Sequence, residues 1–152
     1  MFIVHFKLHK RAILAAAFIL VSALAFALVL PGCHDSSGDA ISAETEEQRQ
    51  AYLADLGWTV DPQPIETLDL QIPSSLEGEW AEYAALQDEQ GFPFTQFAGK
   101  TARCYTYTVT NYPGIEKGVQ INLYVSDGQL IGGNIISTGK NAFRQGLAFP
   151  KE

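Results

Sequence analysis

The hydrophobic pattern begins with a long apolar run from Ala12 to Leu30. This run contains no charged side chain and only one hydroxyl group. As a helix, these nineteen residues extend about 28 Å, which is enough to cross the hydrocarbon core of a bilayer. Residues 1–11 hold three basic side chains and no acidic one, and all seventeen acids follow the run. Because positive charge stays on the cytoplasmic side, we predict a cytoplasmic basic segment 1–11 and a membrane-spanning or signal helix 12–30. The rest of the chain is then expected on the extracytoplasmic face of the cell membrane.

The residues leave three fates of this segment open. Left uncleaved, the helix is a signal anchor. The sequence Leu30-Pro31-Gly32-Cys33 is similar to a bacterial lipoprotein cleavage box, in which the cysteine becomes lipidated. Cleavage after Ala27, in an A-x-A pattern, would release a secreted protein instead. We favour the first two fates, which tether the chain to the membrane through residues 12–30 or through a lipidated Cys33.

Beyond the run, the pattern changes to that of a folded domain. Residues 34–43 are small and polar, so a flexible tether is predicted over 31–43. Thr45 then begins a capping-box pattern, and an apolar stripe at helical spacing follows it. Gly57 is expected to end this helix as a left-handed cap, with Trp58 folding back onto the last turn. Residues 44–152 are predicted to form a single extracytoplasmic domain.

The middle of the chain alternates strand and helix patterns. From Thr67 to Ile72, apolar and polar residues alternate, which is typical of a half-buried strand. A second helix is predicted over 76–90, with Gly91 as its stop. Three phenylalanines lie within residues 92–97 and predict a turn that plugs the core.

The last third of the chain is rich in strand patterns. Alternation over 103–112, 119–125 and 130–137 predicts three strands, the last two joined by a hairpin at Asp127-Gly128. Gly132-Gly133 inside the last strand indicates a bulge or a close backbone approach.

The tail over 141–149 predicts a short helical turn with Phe143, Leu147 and Phe149 packed inward. Together the elements predict the α+β class, with a small antiparallel sheet of about four strands and two helices packed on one face.

Short blocks along the domain carry a family resemblance. In chain order they are Thr45-Glu46-Glu47-Gln48-Arg49, Tyr52-Leu53, Gly57-Trp58, Ile72-Pro73, Tyr83, Leu86-Gln87, Gly91-Phe92, Gly99-Lys100, Tyr105-Thr106-Tyr107, Asn111-Tyr112-Pro113 and Ile131-Gly132-Gly133. From about Thr45 to Phe149, the chain resembles the bacterial domain-of-unknown-function family 4830. The resemblance implies a short membrane segment followed by one extracytoplasmic domain. It implies no activity, cofactor or catalytic residue.

The charge balance limits the classes of partner. Seventeen acidic residues outnumber ten basic ones, and the net charge is −7. We expect no nucleic-acid partner, because phosphate contacts require a basic surface. Residues 34–99 hold fourteen acids and one base, whereas residues 100–152 hold six bases and three acids. This asymmetry fits either two halves that dock against each other or a solvated acidic face, and the spacing does not choose between them.

The reactive side chains restrict catalysis. All three histidines, at positions 5, 9 and 34, precede the predicted domain. A Ser-His-Asp triad, a Cys-His pair or a histidine zinc site cannot form within it, so we predict no catalytic residue, metal or cofactor. Cys104 is interpreted as a small buried packing residue. Paired carboxylates remain, since glycosidases use two acids about 5–10 Å apart. The candidates lie on the second predicted helix, at Glu79, Glu82, Asp88 and Glu89.

The polar face of the last strands is the preferred candidate site. Hydroxyl and amide side chains would form a neutral hydrogen-bonding surface there, next to an aromatic residue in an exposed loop. The predicted binding residues are Thr106, Thr108, Thr110, Tyr112, Gln120, Asn122 and Tyr124. We predict a non-catalytic binding or interaction module that is tethered to the membrane, with an envelope protein or polymer as its partner. The alternative is a carboxylate-dependent hydrolase that acts on envelope polymers.

Overall fold

The computed structural model describes residues 40–139 and 142–150 of the chain. The predicted segments 1–11 and 12–30 lie outside the described residues, as does Cys33. Among the helices that the structure describes, none has the length and apolar character needed to cross a bilayer. The membrane tether therefore stays a prediction.

Two α-helices, a 3-10 helix and five strands make up the described part of the chain. In order they are α1 (Glu46–Asp55), β1 (Glu66–Gln71), α2 (Glu79–Glu89), the 3-10 helix (Phe94–Phe97), β2 (Thr101–Thr108), β3 (Val119–Ser126), β4 (Gln129–Ser137) and β5 (Phe143–Gln145). The strands form one antiparallel sheet in the order β1-β2-β3-β4-β5. The α+β class is confirmed, and the sheet has five strands where about four were expected.

The additional strand is β5, in a region for which we predicted a helical turn. Residues Phe143–Gln145 pair with Ile135–Ser137 on β4. An unpaired sheet edge leaves backbone N–H and C=O groups without partners, and the tail satisfies part of that edge. Phe143 also packs against the main core cluster. The prediction of a helical turn is wrong at these residues, because they pair with the free edge of β4 instead.

The two helices lie on opposite faces of the sheet, so their predicted placement on one face is wrong. Leu53 of α1 shares the main core cluster with Tyr107 of β2. Tyr83 of α2 shares a second cluster with Ala102 of the same strand. Successive residues of a strand point to opposite faces, and these two positions of β2 have opposite parity. The strand patterns predict one strongly apolar face. Aromatic side chains of α2 pack against one end of the opposite face and belong to the second cluster.

Both helix ends follow the local sequence. Thr45 caps α1, because its hydroxyl accepts from Gln48 N at 3.3 Å while the Gln48 side chain accepts from Thr45 N at 3.1 Å. Gly57 and Gly91 follow the two helices with φ values of 91° and 79°. Trp58 folds back as predicted, since its backbone N–H donates to Leu53 O in the last turn of α1 at 2.9 Å. Helix α2 begins at Glu79, three residues later than predicted.

The start of the described chain is hydrogen-bonded to the β3–β4 hairpin. Asp127 and Gly128 form the predicted turn, with φ values of 51° and 75°. Leu130 N donates to Ile41 O at 2.8 Å, and Ala43 N donates to Gly128 O at 2.9 Å. Ala43 is 1% exposed and belongs to the core. The tether predicted over 31–43 is therefore wrong at its last three residues, because their backbone pairs with the hairpin.

Gly132 and Gly133 mark the close approach that the sequence predicts. A Cβ on Gly132 would lie 3.0 Å from Gln87 Oε1, and one on Gly133 would lie 2.6 Å from Leu147 Cδ1. The β3–β4 register also shifts next to these glycines, as expected for a bulge. This part of β4 is the place where α2 and the tail both meet the sheet.

Candidate functional site

Five of the seven predicted binding residues share one face of the sheet, which we call the polar face. They are Thr106, Thr108, Gln120, Asn122 and Tyr124. Thr106 lies opposite Asn122 across β2 and β3, and Asn122 lies opposite Asn134 across β3 and β4. The shared face is confirmed, and the binding role of these residues stays a prediction.

The other two predicted residues lie away from the polar face. The ring of Tyr112 stacks on Trp58 at 5.9 Å between centroids and lies 5.4 Å from Phe143. Thr110 follows the end of β2, and its hydroxyl donates to Thr59 O at 3.1 Å. Tyr112 is thus half-buried beside the main core. Its predicted exposure is wrong, because its ring packs against Trp58 and Phe143, and its binding role stays a prediction.

Helix α2 covers one end of the polar face and leaves a cleft of about 180 Å³ beside it. We call this the α2 cleft. Its walls consist of aromatic rings, two amides, one aliphatic side chain and two opposite charges: Glu79, Trp80, Tyr83, Asn122, Tyr124, Asn134, Ile136 and Arg144. Asn122 and Tyr124 were predicted, whereas Asn134 and Arg144 were not. Asn134 could be found only from its register opposite Asn122, and Arg144 only by recognising β5.

Two glutamines at the C-terminal end of α2 attach this helix, which forms one wall of the cleft, to β4. Gln87 Oε1 accepts from Gly133 N at 2.8 Å, and Gln90 Nε2 donates to Gly133 O at 3.1 Å. These side chains take the place of a neighbouring strand, because β5 pairs with only the last three residues of β4. Gln90 Oε1 also accepts from Leu147 N. The helix and the sheet are therefore held together by directional bonds as well as by apolar packing.

The phenols and the thiol around the α2 cleft keep their protons. Burial raises the pKa of Tyr83 well above its ordinary value, and it raises the pKa of Tyr124 as well. Both phenols are thus neutral groups at physiological pH. Cys104 is buried beside them, and burial raises the pKa of its thiol. A protonated, buried thiol is a poor nucleophile, in keeping with the predicted packing role.

A second and larger groove, about 350 Å³, lies beside the β3–β4 hairpin. We call it the hairpin groove, and its lining includes Glu44, Asp69, Arg103, Tyr105 and Asp127. Arg103 forms a bidentate pair with Asp69 at 2.6 and 3.0 Å. These hydrogen bonds hold the pKa of Asp69 below its ordinary value. Among residues 40–139 and 142–150, no three His, Cys, Asp or Glu side chains gather closely enough to hold a metal ion.

The four carboxylates considered for catalysis do not converge in the α2 cleft. Only Glu79 lines it. The other three are exposed along α2: Glu82, Asp88 and Glu89. Because a glycosidase mechanism needs two carboxyl groups on either side of the scissile bond, the described residues do not supply that pair here.

The chain matches no protein-family model, and comparisons with curated proteins and with solved structures found no match either. The resemblance to the bacterial domain-of-unknown-function family 4830 stays a prediction. Function can therefore be inferred only from the geometry and chemistry of the site itself.

Proposed function

We propose that this protein is a non-catalytic binding module tethered to the outer face of the cell membrane, and that the α2 cleft is its binding site. One observation carries the proposal: two side-chain amides, several aromatic rings and a guanidinium line a single concavity. Aromatic faces cover the apolar surface of a ligand, while amides and a guanidinium bond to its polar edge. This combination favours recognition over bond cleavage.

The volume of the cleft limits what can enter it. About 180 Å³ is smaller than the roughly 300–1,000 Å³ of sites that hold a drug-sized molecule. One sugar residue or one chain end of a larger envelope component is the expected occupant. The remaining polar face, which includes Thr108 and Gln120, continues outside the cleft and offers further hydrogen bonds to the same partner.

The hydrolase alternative has less support. Its four candidate acids provide a single carboxylate in the α2 cleft. The hairpin groove contains more carboxylates, but a general acid needs a raised pKa and that of Asp69 is lowered by Arg103. A binding role requires neither a second carboxylate nor a perturbed one.

Co-sedimentation of the detergent-solubilised full-length chain with isolated bacterial cell-wall polymer tests the binding role. We expect the wild-type chain to sediment with the polymer, and Asn122→Phe to abolish this by filling the cleft without adding charge. Trp80→Ala removes a half-buried ring and should weaken binding without adding charge. Ala85→Phe, on the exposed side of α2, is the matched control and should bind like wild type. Circular dichroism would verify that each variant is folded, and folded cleft variants that bind normally would contradict the proposal.

Labelling in spheroplasts tests the extracytoplasmic placement separately. A Thr95→Cys substitution puts a thiol on an exposed position, and Cys33→Ser in the same chain removes the competing one. We expect a membrane-impermeant maleimide to label this chain in intact spheroplasts, while buried Cys104 stays unlabelled. Labelling only after lysis would place the domain on the cytoplasmic side and refute the extracytoplasmic role.

A further inference from the structure

The two asparagines of the α2 cleft are oriented by bonds to their carbonyl oxygens. The Thr106 hydroxyl donates to Asn122 Oδ1 at 2.8 Å, and the Tyr83 hydroxyl donates to Asn134 Oδ1 at 3.1 Å. Each amide carries one acceptor oxygen and one NH₂ group with two donor hydrogens. Once the oxygen is bound within the protein, the NH₂ group is directed away from it.

These NH₂ groups are available to a ligand. Asn134 is only 2% exposed as a residue. Among the described residues, Nδ2 of Asn134 has no hydrogen-bond partner. Since Asn134 lines the cleft and its oxygen is bound to Tyr83, we infer that its NH₂ group is the part left for a ligand there. Asn122 lies directly opposite on β3 and likewise uses only its oxygen within the described part of the protein.

Arg144 adds a positive charge to the same side of the cleft. It lies on β5 opposite Ile136, which is another lining residue. Its guanidinium carbon lies 5.8 Å from the centre of the Tyr83 ring. Within the described ranges, Arg144 forms no salt bridge, unlike Arg49 and Arg103. Among the described residues, the cleft thus presents a cation that forms no salt bridge, two amide groups and one carboxylate, that of Glu79.

We propose that the α2 cleft recognises a carboxylate group, carried by a small ring or by a chain end that lies against Trp80 and Tyr83. A guanidinium pairs with a carboxylate through charge-assisted hydrogen bonds, and amide NH₂ groups complete the oxygen's coordination. Acidic sugars and peptide carboxyl termini share this chemistry. The inference rests on the proposed binding role and specifies the ligand class of that site.

Titration of the full-length chain in detergent micelles distinguishes the two sources. The probes are glucuronic acid against glucose, and N-acetyl-alanyl-alanine against its carboxamide. We expect at least one acid to bind and to shift the side-chain NH₂ resonances of Asn122 and Asn134 in ¹H–¹⁵N spectra. Its neutral counterpart should bind about tenfold more weakly or worse, because a hydrogen bond to a charged group is lost. Equal binding of acid and neutral probe would overturn the proposal.

Two substitutions should act in opposite directions. Arg144→Gln is expected to weaken binding of the acid about tenfold or more. Glu79→Gln should strengthen it a few-fold, because a like charge is removed from the rim. Lys117→Gln removes an exposed cation outside the cleft and should change nothing. Weaker binding in Glu79→Gln would indicate a ligand that carries an ammonium group and would refute the carboxylate assignment.

The proposed function and this inference fail in different ways. If wild type sediments with cell-wall polymer and Asn122→Phe does not, the cleft is a binding site. In that case, failure of both acids to bind would reject the carboxylate assignment alone. If the folded cleft variants sediment normally, the binding site itself is wrong.

Discussion

Arg49 is a charged residue with only 5% exposure, and its contacts explain how that is tolerated. Its guanidinium donates to Tyr107 Oη at 2.9 Å and to Ala43 O at 2.8 Å, and it pairs with Glu46 at 3.0 Å. It also lies 3.7 Å from the centre of the Tyr105 ring. A buried charge is acceptable when its donors are paired in this way. Arg49 therefore joins the start of the domain, helix α1 and the sheet.

Replacing Arg49 with methionine should lower the free energy of unfolding by about 2–4 kcal/mol, because buried acceptors lose their donor. Urea denaturation followed by circular dichroism measures this change. Arg103→Met is the matched control, since Arg103 and its partner Asp69 are 52% and 60% exposed. Exposed ion pairs contribute little, so the control should lose much less stability. Equal losses of unfolding free energy in the two variants would show that the buried contacts of Arg49 contribute no more than the exposed ion pair of Arg103.

At the scale of elements, the junction between α2 and β4 depends on Gly133. Gln87 and Gln90 bond to its N–H and C=O from one side. A Cβ at this position would lie 2.6 Å from Leu147 Cδ1 and 2.9 Å from Asn122 O. Because one of these neighbours is backbone, the sheet itself would have to shift. The same junction positions helix α2 as one wall of the α2 cleft.

Gly133→Ala should lower the free energy of unfolding by about 1–3 kcal/mol, which is the typical cost of overpacking. The control is Gly139→Ala, where a Cβ would lie 3.7 Å from Ser137 Oγ in ordinary contact. That variant should be neutral or slightly stabilised, since alanine restricts the unfolded chain. Thermal unfolding of the two variants side by side measures the difference. Equal midpoints would mean that β4 tolerates a side chain at the junction.

Elements with a local cause could be predicted from the sequence, and elements with a distant cause could not. The Thr45 cap, the Gly57 stop and the Asp127-Gly128 turn each depend on neighbouring residues. Strand β5 depends on a free edge of β4, and the side of the sheet that α2 covers depends on packing. The same distinction applies to the residues that line the α2 cleft. Asn122 follows from strand alternation, whereas Arg144 required the unpredicted strand.

At the scale of the whole molecule, a sheet covered by a helix on each face buries several tyrosines. Burial raises the pKa of Tyr107 to about 12. Burial likewise raises the pKa of Tyr52, Tyr83 and Tyr124 above the ordinary value. Tyr107 belongs to the main core cluster and Tyr52 packs against it, while Tyr83 belongs to the second cluster and Tyr124 packs against that one. Their ionisation is therefore coupled to unfolding of the entire domain.

This coupling predicts a loss of stability at alkaline pH. In the unfolded chain tyrosine ionises near pH 10, whereas Tyr107 keeps its proton in the folded state to about pH 12. Between these values the unfolded state binds fewer protons, so the free energy of unfolding must fall as the pH rises. Urea denaturation at several pH values from about 8 to about 11 measures the slope. Tyr107→Phe should be less stable throughout, because Arg49 loses a partner, but its stability should fall less steeply above about pH 10. Identical slopes for the two chains would show that Tyr107 ionises as readily in the folded domain as in the unfolded one.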